Sequence, residues 1–471
     1  MRAALLMMYC CFVIWTEYAS FSKRKKEYRD LDAFAEFLAD VNYEYFVCKS
    51  VTEAIFQAAE KLPKHLKHKV EEICYLLEDE ETEEAAPDFT YPKHMKHLKL
   101  FLVLCQNAVR FGSGGSGEEA TFTKNMTELR KDVQIECMKR SEALFLFSGL
   151  GLIAALPVAT LSAVRKWGST NLPELKSFYD GFAGRIVVLI IWCATLLSYL
   201  LIRIVRKTDG NAYRRPKHIC NYFDQPFFHP IKNRLVGTRA EKIGRVRLLR
   251  AGIVRDGAEY WIACFSVGVA VQVISVVLSA GERGVRVFIV SGISFGAGFL
   301  CMMFFYKYLA YVRSLGVGTE VLGLQSILLM LFEAPNMTIG KLLESMEEYS
   351  ELFHREILAC TDRYASEENE AIKMLEQNNL PKEFQRLSHR LFIAEKIGIR
   401  KAFAELAADR RYFRDVWKED TEKEMSGRAA NAQVFAFAPL FIILFAYLII
   451  PFLYSSLGQM SNIFSEMNQM R

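Results

Sequence analysis

The chain has 471 residues, 24% of them charged, and a formal net charge of +5, a length that calls for at least two folding units. Its charges crowd into residues 17–142, 203–259 and 313–428, and the apolar runs between them are long enough to cross a bilayer. That segregation argues against nucleic-acid binding, because the basic segment is flanked by apolar spans and carries no recognisable reading module.

The chain opens with a short apolar run, 3–15. Its leading region holds only Arg2, and strong positive charge follows at 23–26. A basic cluster after the span keeps that side in the cytoplasm and puts the N-terminus outside, as in a reverse signal anchor. From residue 30 to 77 the spacing predicts helices. Leu31, Phe34, Phe37, Leu38 and Val41 recur at three and four residues, as do Val51, Ile55 and Ala58. Ser50 and Glu53 form an N-cap and its capping-box partner, and Pro63 opens a helix with the stripe Leu66, Val70, Ile73 and Leu76. The acidic run 78–84, ending at Pro87, reads as a solvated link. Another helix starts at Pro92 and runs through Leu98, Phe101, Leu102, Cys105 and Val109 to the glycine-rich segment 112–117.

A charged helical stretch with Glu136, Lys139, Arg140 and Glu142 then leads into the apolar span 144–164, which contains Pro157. The span 182–205 follows. Between residues 206 and 256 there are 13 Lys or Arg against four acids, so this loop is expected in the cytoplasm, where Arg214, Arg215, Lys217, Arg245, Arg247 and Arg250 face anionic lipid headgroups. Spans 258–280 and 285–312 come next, the latter with a GxxxG face at Gly292 and Gly296 that implies close helix packing within the chain or between subunits.

A second polar bundle repeats the plan of the first. Residues 338–344 open a helix, Leu352, Ile357 and Leu358 continue the apolar face, and an acidic patch lies at 367–370. Pro381 begins a helix through Leu387, Leu391 and Ala394, with Gly398 answering Gly112. The stretch with Glu422, Glu424 and Arg428 then enters the last span, 434–457, bearing Pro439 and Pro451. Proline there frees a backbone carbonyl and favours a kink. The expected architecture is all-α, with six spans and both termini outside. Its parts are an anchor (1–21), a first cytoplasmic bundle (22–142), a hairpin (143–206), the basic loop (207–257), a second hairpin (258–312), a second bundle (313–433), and a final span and tail (434–471).

No catalytic, cofactor or metal constellation emerges. The glycine stretch lacks the Lys and Ser/Thr of a P-loop, and no GxxxxGK[ST] occurs in the chain, so any ATP hydrolysis belongs to another subunit. The pairs His65/His68 and His94/His97 have a spacing that could present two imidazoles to a metal, but adjacent lysines repel a cation. A basic first turn on a solvated helix is the preferred reading. The 11 cysteines are scattered small hydrophobes. Ionisable residues within the spans (Arg185, Arg203, Glu259, Arg286, Lys307) lie toward the ends, where they snorkel, leaving Gln272 and Ser275 as the polar residues that a transporter or channel would use.

The segments Lys49, Ser50, Val51, Thr52, Glu53, Ala54, Ile55, then Leu62 and Pro63, the duplicated helical domain, and the closing string Tyr447, Leu448, Ile449, Ile450, Pro451, Phe452 resemble the F-type inner-membrane platform proteins of type II secretion and tight-adherence (Flp) type IV pilus machines. The resemblance covers about 30–164 and 316–457. It implies a non-catalytic scaffold in the cytoplasmic membrane, oligomeric, that binds an assembly ATPase and acts on pilin subunits. The extra hairpin and basic loop depart from that plan, as if two platform subunits were joined in one chain.

Overall fold

The computed structural model describes residues 2–78, 92–111, 118–171, 175–206, 237–250, 256–278, 285–332, 337–377 and 380–453, with a few isolated positions besides. Among the described residues the chain is all-helical, with no strand. In chain order the helices are α1 (Arg2–Cys48), α2 (Val51–Ala59), α3 (Lys64–Glu78), α4 (His97–Phe111), α5 (Glu118–Leu146), α6 (Leu150–Asn171), α7 (Leu175–Asp180), α8 (Phe182–Arg206) and α9 (Arg239–Arg250). They continue with α10 (Gly257–Leu278), α11 (Val285–Leu315), α12 (Val317–Leu331), α13 (Ile339–Tyr349), α14 (His354–Tyr364), α15 (Glu368–Gln377), α16 (Lys382–Ile397), α17 (Ile399–Ala408) and α18 (Arg410–Ile442). A π-helical turn, Ile443–Ile449, follows. The acidic link 78–84, apart from Glu78, and the glycine stretch 112–117 lie outside the described residues.

The helices gather into two compact units. One, the polar unit, comprises Ser20–Leu146 and Gly316–Ser426; the other, the apolar unit, comprises Met1–Ala19, Phe147–Leu315 and Gly427–Arg471.

In the polar unit the two charged segments, separated in sequence by both hairpins and the basic loop, bury one continuous hydrophobic core. Phe34 and Phe37 of α1 meet Phe101 of α4 edge-on at 6.0 and 5.5 Å, and Phe353 stacks on Phe384 at 4.2 Å. Local signals start these helices. Ser50 caps α2 by accepting from the Glu53 N–H at 3.5 Å, and Thr338 caps α13 through Lys341 at 3.4 Å, each satisfying an otherwise orphaned donor. Glu53 does not complete a capping box; its carboxylate accepts from Gln57 at 2.7 Å instead. Gly398 ends α16 with φ +90, a conformation a side chain would strain.

Tyr349 links the two halves. Its hydroxyl donates to the Lys96 carbonyl at 2.8 Å and accepts from the Leu100 N–H at 3.2 Å, so it is inserted into the first turn of α4.

In the apolar unit large hydrophobic side chains face outward, among them Phe12, Trp15, Leu156, Phe265, Phe304 and Phe445. Water does not favour such a surface, whereas a bilayer does. Among the described residues, three helical stretches are long and apolar enough to cross a membrane: Phe122–Asn171, Ser291–Leu331 and Arg410–Leu453. The apolar part of the first begins after Ala143, and Gly257–Val273 is a shorter apolar helix. These three suggest membrane association.

Replacing Tyr349 with Phe leaves the buried Leu100 N–H without its acceptor, while the Lys96 carbonyl keeps the Lys99 N–H at 3.2 Å; the orphaned donor costs about 1–3 kcal/mol. Tyr349→Phe is therefore expected to melt earlier than the parent chain in detergent with the same helix content; an unchanged melting temperature would contradict the insertion.

Candidate functional site

The most concentrated chemistry in the polar unit is a row of buried charges between its two halves. Glu128 of α5 sits against Arg410 at 3.1 Å and also pairs with Arg414. One turn on, Asp132 accepts a 2.5 Å hydrogen bond from the Ser326 hydroxyl of α12. Further along α5, Lys139 pairs with Glu424 at 3.5 Å, and Glu424 accepts from Thr319 at 2.7 Å. Beside them Lys96 and Lys99 reach Glu351 and Glu348 at 3.6 and 2.5 Å. Burial pushes the Asp132 carboxyl up to about 7, although Ser326 and Arg410 pull the other way. Burial would raise Glu136 as well, but Arg140, Lys139 and Lys96 outweigh it and hold that carboxyl at about 2.

The four sequence-adjacent histidines divide differently from their spacing. His65 and His94, one from each pair, converge on the buried carboxylate of Asp30, at 2.9 and 3.1 Å. His68 stays exposed, and His97 is buried edge-on to Tyr349 with ring centroids 5.9 Å apart. The basic-turn reading therefore fails for His97, whose helix presents it to the core. Burial, and then the adjacent Lys96, push the His97 imidazole down to about 3. Among the described residues no group of three or more His, Cys, Asp or Glu could hold a metal ion.

In the apolar unit the proline-bearing end of the chain is the best-defined feature. Pro451 has no N–H to offer the carbonyl of Tyr447, four residues earlier. The hydroxyl of Tyr179, at the end of α7, donates to that carbonyl at 3.3 Å, and the two tyrosine rings pack at 4.9 Å. Leu175, Ile191 and Ile443 seal the contact. The π turn lies between Pro439 and Pro451, where the ordinary hydrogen-bond ladder is interrupted. Pro157 is buried inside α6.

The start of α1 runs alongside α8. Tyr9 meets Trp192 at 5.2 Å, the hydroxyls of Thr16 and Tyr199 are 3.0 Å apart, and Arg206 donates to Glu17 at 2.7 Å. These contacts rise together along both helices, so the two run parallel. Between α10 and α11, Gln272 donates to Ser291 at 2.9 Å and Ser294 to Ser275 at 3.0 Å. The close approach there is made by Gly298, whose added Cβ would lie 3.0 Å from Gly268. At Gly292 and Gly296 an added Cβ would meet nothing within 4 Å, so the GxxxG face packs on no other helix of the chain among the described residues. Of the basic-loop residues, Arg245 is exposed and Arg247 donates to the Tyr260 hydroxyl at 2.6 Å. Arg214, Arg215 and Lys217 lie outside the described residues, as does the Arg250 side chain.

No family model, curated protein or solved structure matches the chain.

Sequence reasoning missed Tyr179, Tyr349, Asp30 and Asp132. A freed carbonyl at 447 implies that some donor must serve it, but nothing in the linear pattern singles out a tyrosine 268 residues away. Asp30 offers a better signal, an acid placed one turn before Phe34 where the apolar face of α1 begins.

The Tyr179 contact predicts non-additivity. Tyr179→Phe is expected to destabilise the chain by about 1–3 kcal/mol in micelles. In a Pro451→Ala background residue 451 regains an N–H, and the same substitution should cost clearly less; additive effects would disprove the assignment. His97 predicts a pH dependence. Its folded pKa lies below the usual 6.5, so its contribution to stability is complete above about pH 6.5 and is lost as pH falls toward 3. In thermal melts between about pH 7 and pH 4, His97→Leu should lose less stability than the parent, and parallel curves would contradict it.

Proposed function

We propose that this chain is a non-catalytic platform in the cytoplasmic membrane. It couples an assembly ATPase to the insertion or extraction of pilin helices, in a tight-adherence type IV pilus or type II secretion machine. The observation that carries the reading is the single core and charged row shared by the two polar segments, each of which continues into a proline-bearing apolar helix. Such a unit offers one cytoplasmic body to one energy-supplying partner.

Six spans with both termini outside make residues 3–15 and 182–205 run in the same direction, and the parallel contacts of α1 with α8 support that layout. In the same layout residues 165–181 and the end of the last span are outside, in keeping with the meeting of Tyr179 and Tyr447. The residues on which a channel would rely, Gln272 and Ser275, are engaged between α10 and α11, where they act as interhelical glue.

The test is reconstitution. The full chain in lipid nanodiscs is expected to bind a cytoplasmic P-loop assembly ATPase and to change its ATP turnover several-fold. Deletion of the gene should abolish pilus assembly or secretion. Absence of binding together with normal assembly in the deletion strain would sink the proposal.

A further inference from the structure

α9 (Arg239–Arg250) is built differently from the other helices of the apolar unit. Thr238 and Glu241 form a reciprocal cap: the Glu241 N–H donates to the Thr238 hydroxyl at 3.3 Å, and the Glu241 carboxylate accepts from the Gly237 N–H at 2.5 Å. One face is fastened to α10. Gly244 lies so close to Gly257 that an added Cβ would come within 2.2 Å of the Gly257 carbonyl oxygen. Trp261 donates its indole N–H to the Ala240 carbonyl at 2.8 Å, and Leu248 is fully buried.

The opposite face is exposed and mixed. Ile243, Val246 and Leu249 are 45%, 48% and 42% exposed, and Arg239, Lys242 and Arg245 are exposed among them. Neither water nor a purely hydrocarbon surroundings suits this face. An anionic bilayer surface suits both sets: branched side chains enter the acyl boundary, and the long basic ones reach the phosphates. The outward apolar residues of α10, Phe265, Val269 and Val273, continue the apolar surface beyond the docked helix.

We infer that α9 is an interfacial helix whose outer face binds anionic phospholipid, selecting it over zwitterionic lipid through Arg239, Lys242 and Arg245. This rests on the membrane part of the reading above and is independent of the ATPase. An acidic protein surface would complement the three basic residues but leave the apolar stripe without a partner, so lipid is the better fit.

The experiment uses the full chain in mild detergent, titrated with dioleoylphosphatidylglycerol or dioleoylphosphatidylcholine and followed by thermal unfolding. Phosphatidylglycerol should stabilise it more, and soluble glycerol phosphate should have no effect. The triple variant R239Q/K242Q/R245Q changes only exposed side chains. Its melting temperature without lipid should be unchanged, but its apparent affinity for phosphatidylglycerol should fall about tenfold or more, since each basic residue near an anionic surface is worth roughly fivefold. Val246→Asp should weaken the response to both lipids. Equal shifts by the two lipids, or a preference retained in the triple variant, overturn the inference, and equal shifts turn attention to an acidic protein partner. If the parent chain fails to float with vesicles of either composition, the membrane reading itself falls.

Discussion

A charge removed from water must find a partner, and that constraint holds the polar unit together. Desolvating an ion costs several kcal/mol, which is offset only by a well-placed counter-ion and further hydrogen bonds. Glu128 and Asp132 on α5 have their partners on α18 and α12, and Lys139 has its partner in Glu424. Each half alone would expose a row of charges already placed for burial. The pairs add less to net stability than the aromatic core does, but they restrict how the halves can dock. A slip of one helical turn along α5 would bring Glu128 opposite Ser326 and set Lys124 against Arg410, a like-charge pair.

The apolar unit meets the same constraint with backbone groups. In hydrocarbon an unpaired carbonyl has no water to turn to. A proline in the last helix is therefore tolerated where another group supplies the missing donor, and Tyr179 does so at Tyr447. The same logic gathers the polar side chains of the apolar helices into contacts between helices: Thr16 with Tyr199, Glu17 with Arg206, and Gln272 with Ser291. Outward positions are left to Phe, Leu, Ile and Val. The two units are thus complementary in composition, one with apolar residues inside and charge outside, the other with its polar pairs turned inward.

Much of the helical pattern was legible from periodicity. Leu31, Phe34, Phe37, Leu38 and Val41 are all buried, as are Val51, Ile55 and Ala58, because a three-and-four spacing places them on one face whatever they pack against. Ser50, Pro381 and Gly398 mark helix ends through local backbone chemistry. What spacing does not carry is partnership. His65 and His68 share a face of α3, yet the charge that attracts His65 lies on α1, and Tyr349 serves a turn about 250 residues before it. Likewise Gly292 and Gly296 have a helix-packing spacing, but the groove in use is formed by Gly268 and Gly298, the latter only two residues beyond Gly296 and so on a different face of α11. Long-range contacts depend on how helices cross, and a linear pattern does not encode that.

Strongly perturbed ionisable groups usually invite an enzymatic reading, and Asp132, Glu136 and His97 are perturbed enough to do so. Their setting gives another cause. Asp132 faces a serine hydroxyl and arginines, Glu136 a cluster of cations, and His97 an aromatic ring, so each is occupied by protein. A cleft of about 630 Å³ in this unit is lined instead by Phe332, Tyr364, Ile397 and Arg400. A catalytic acid or base needs room for a reacting atom within hydrogen-bond reach. At these three residues that space is filled by the opposing half of the unit, so the shifts there reflect burial and pairing between the two halves.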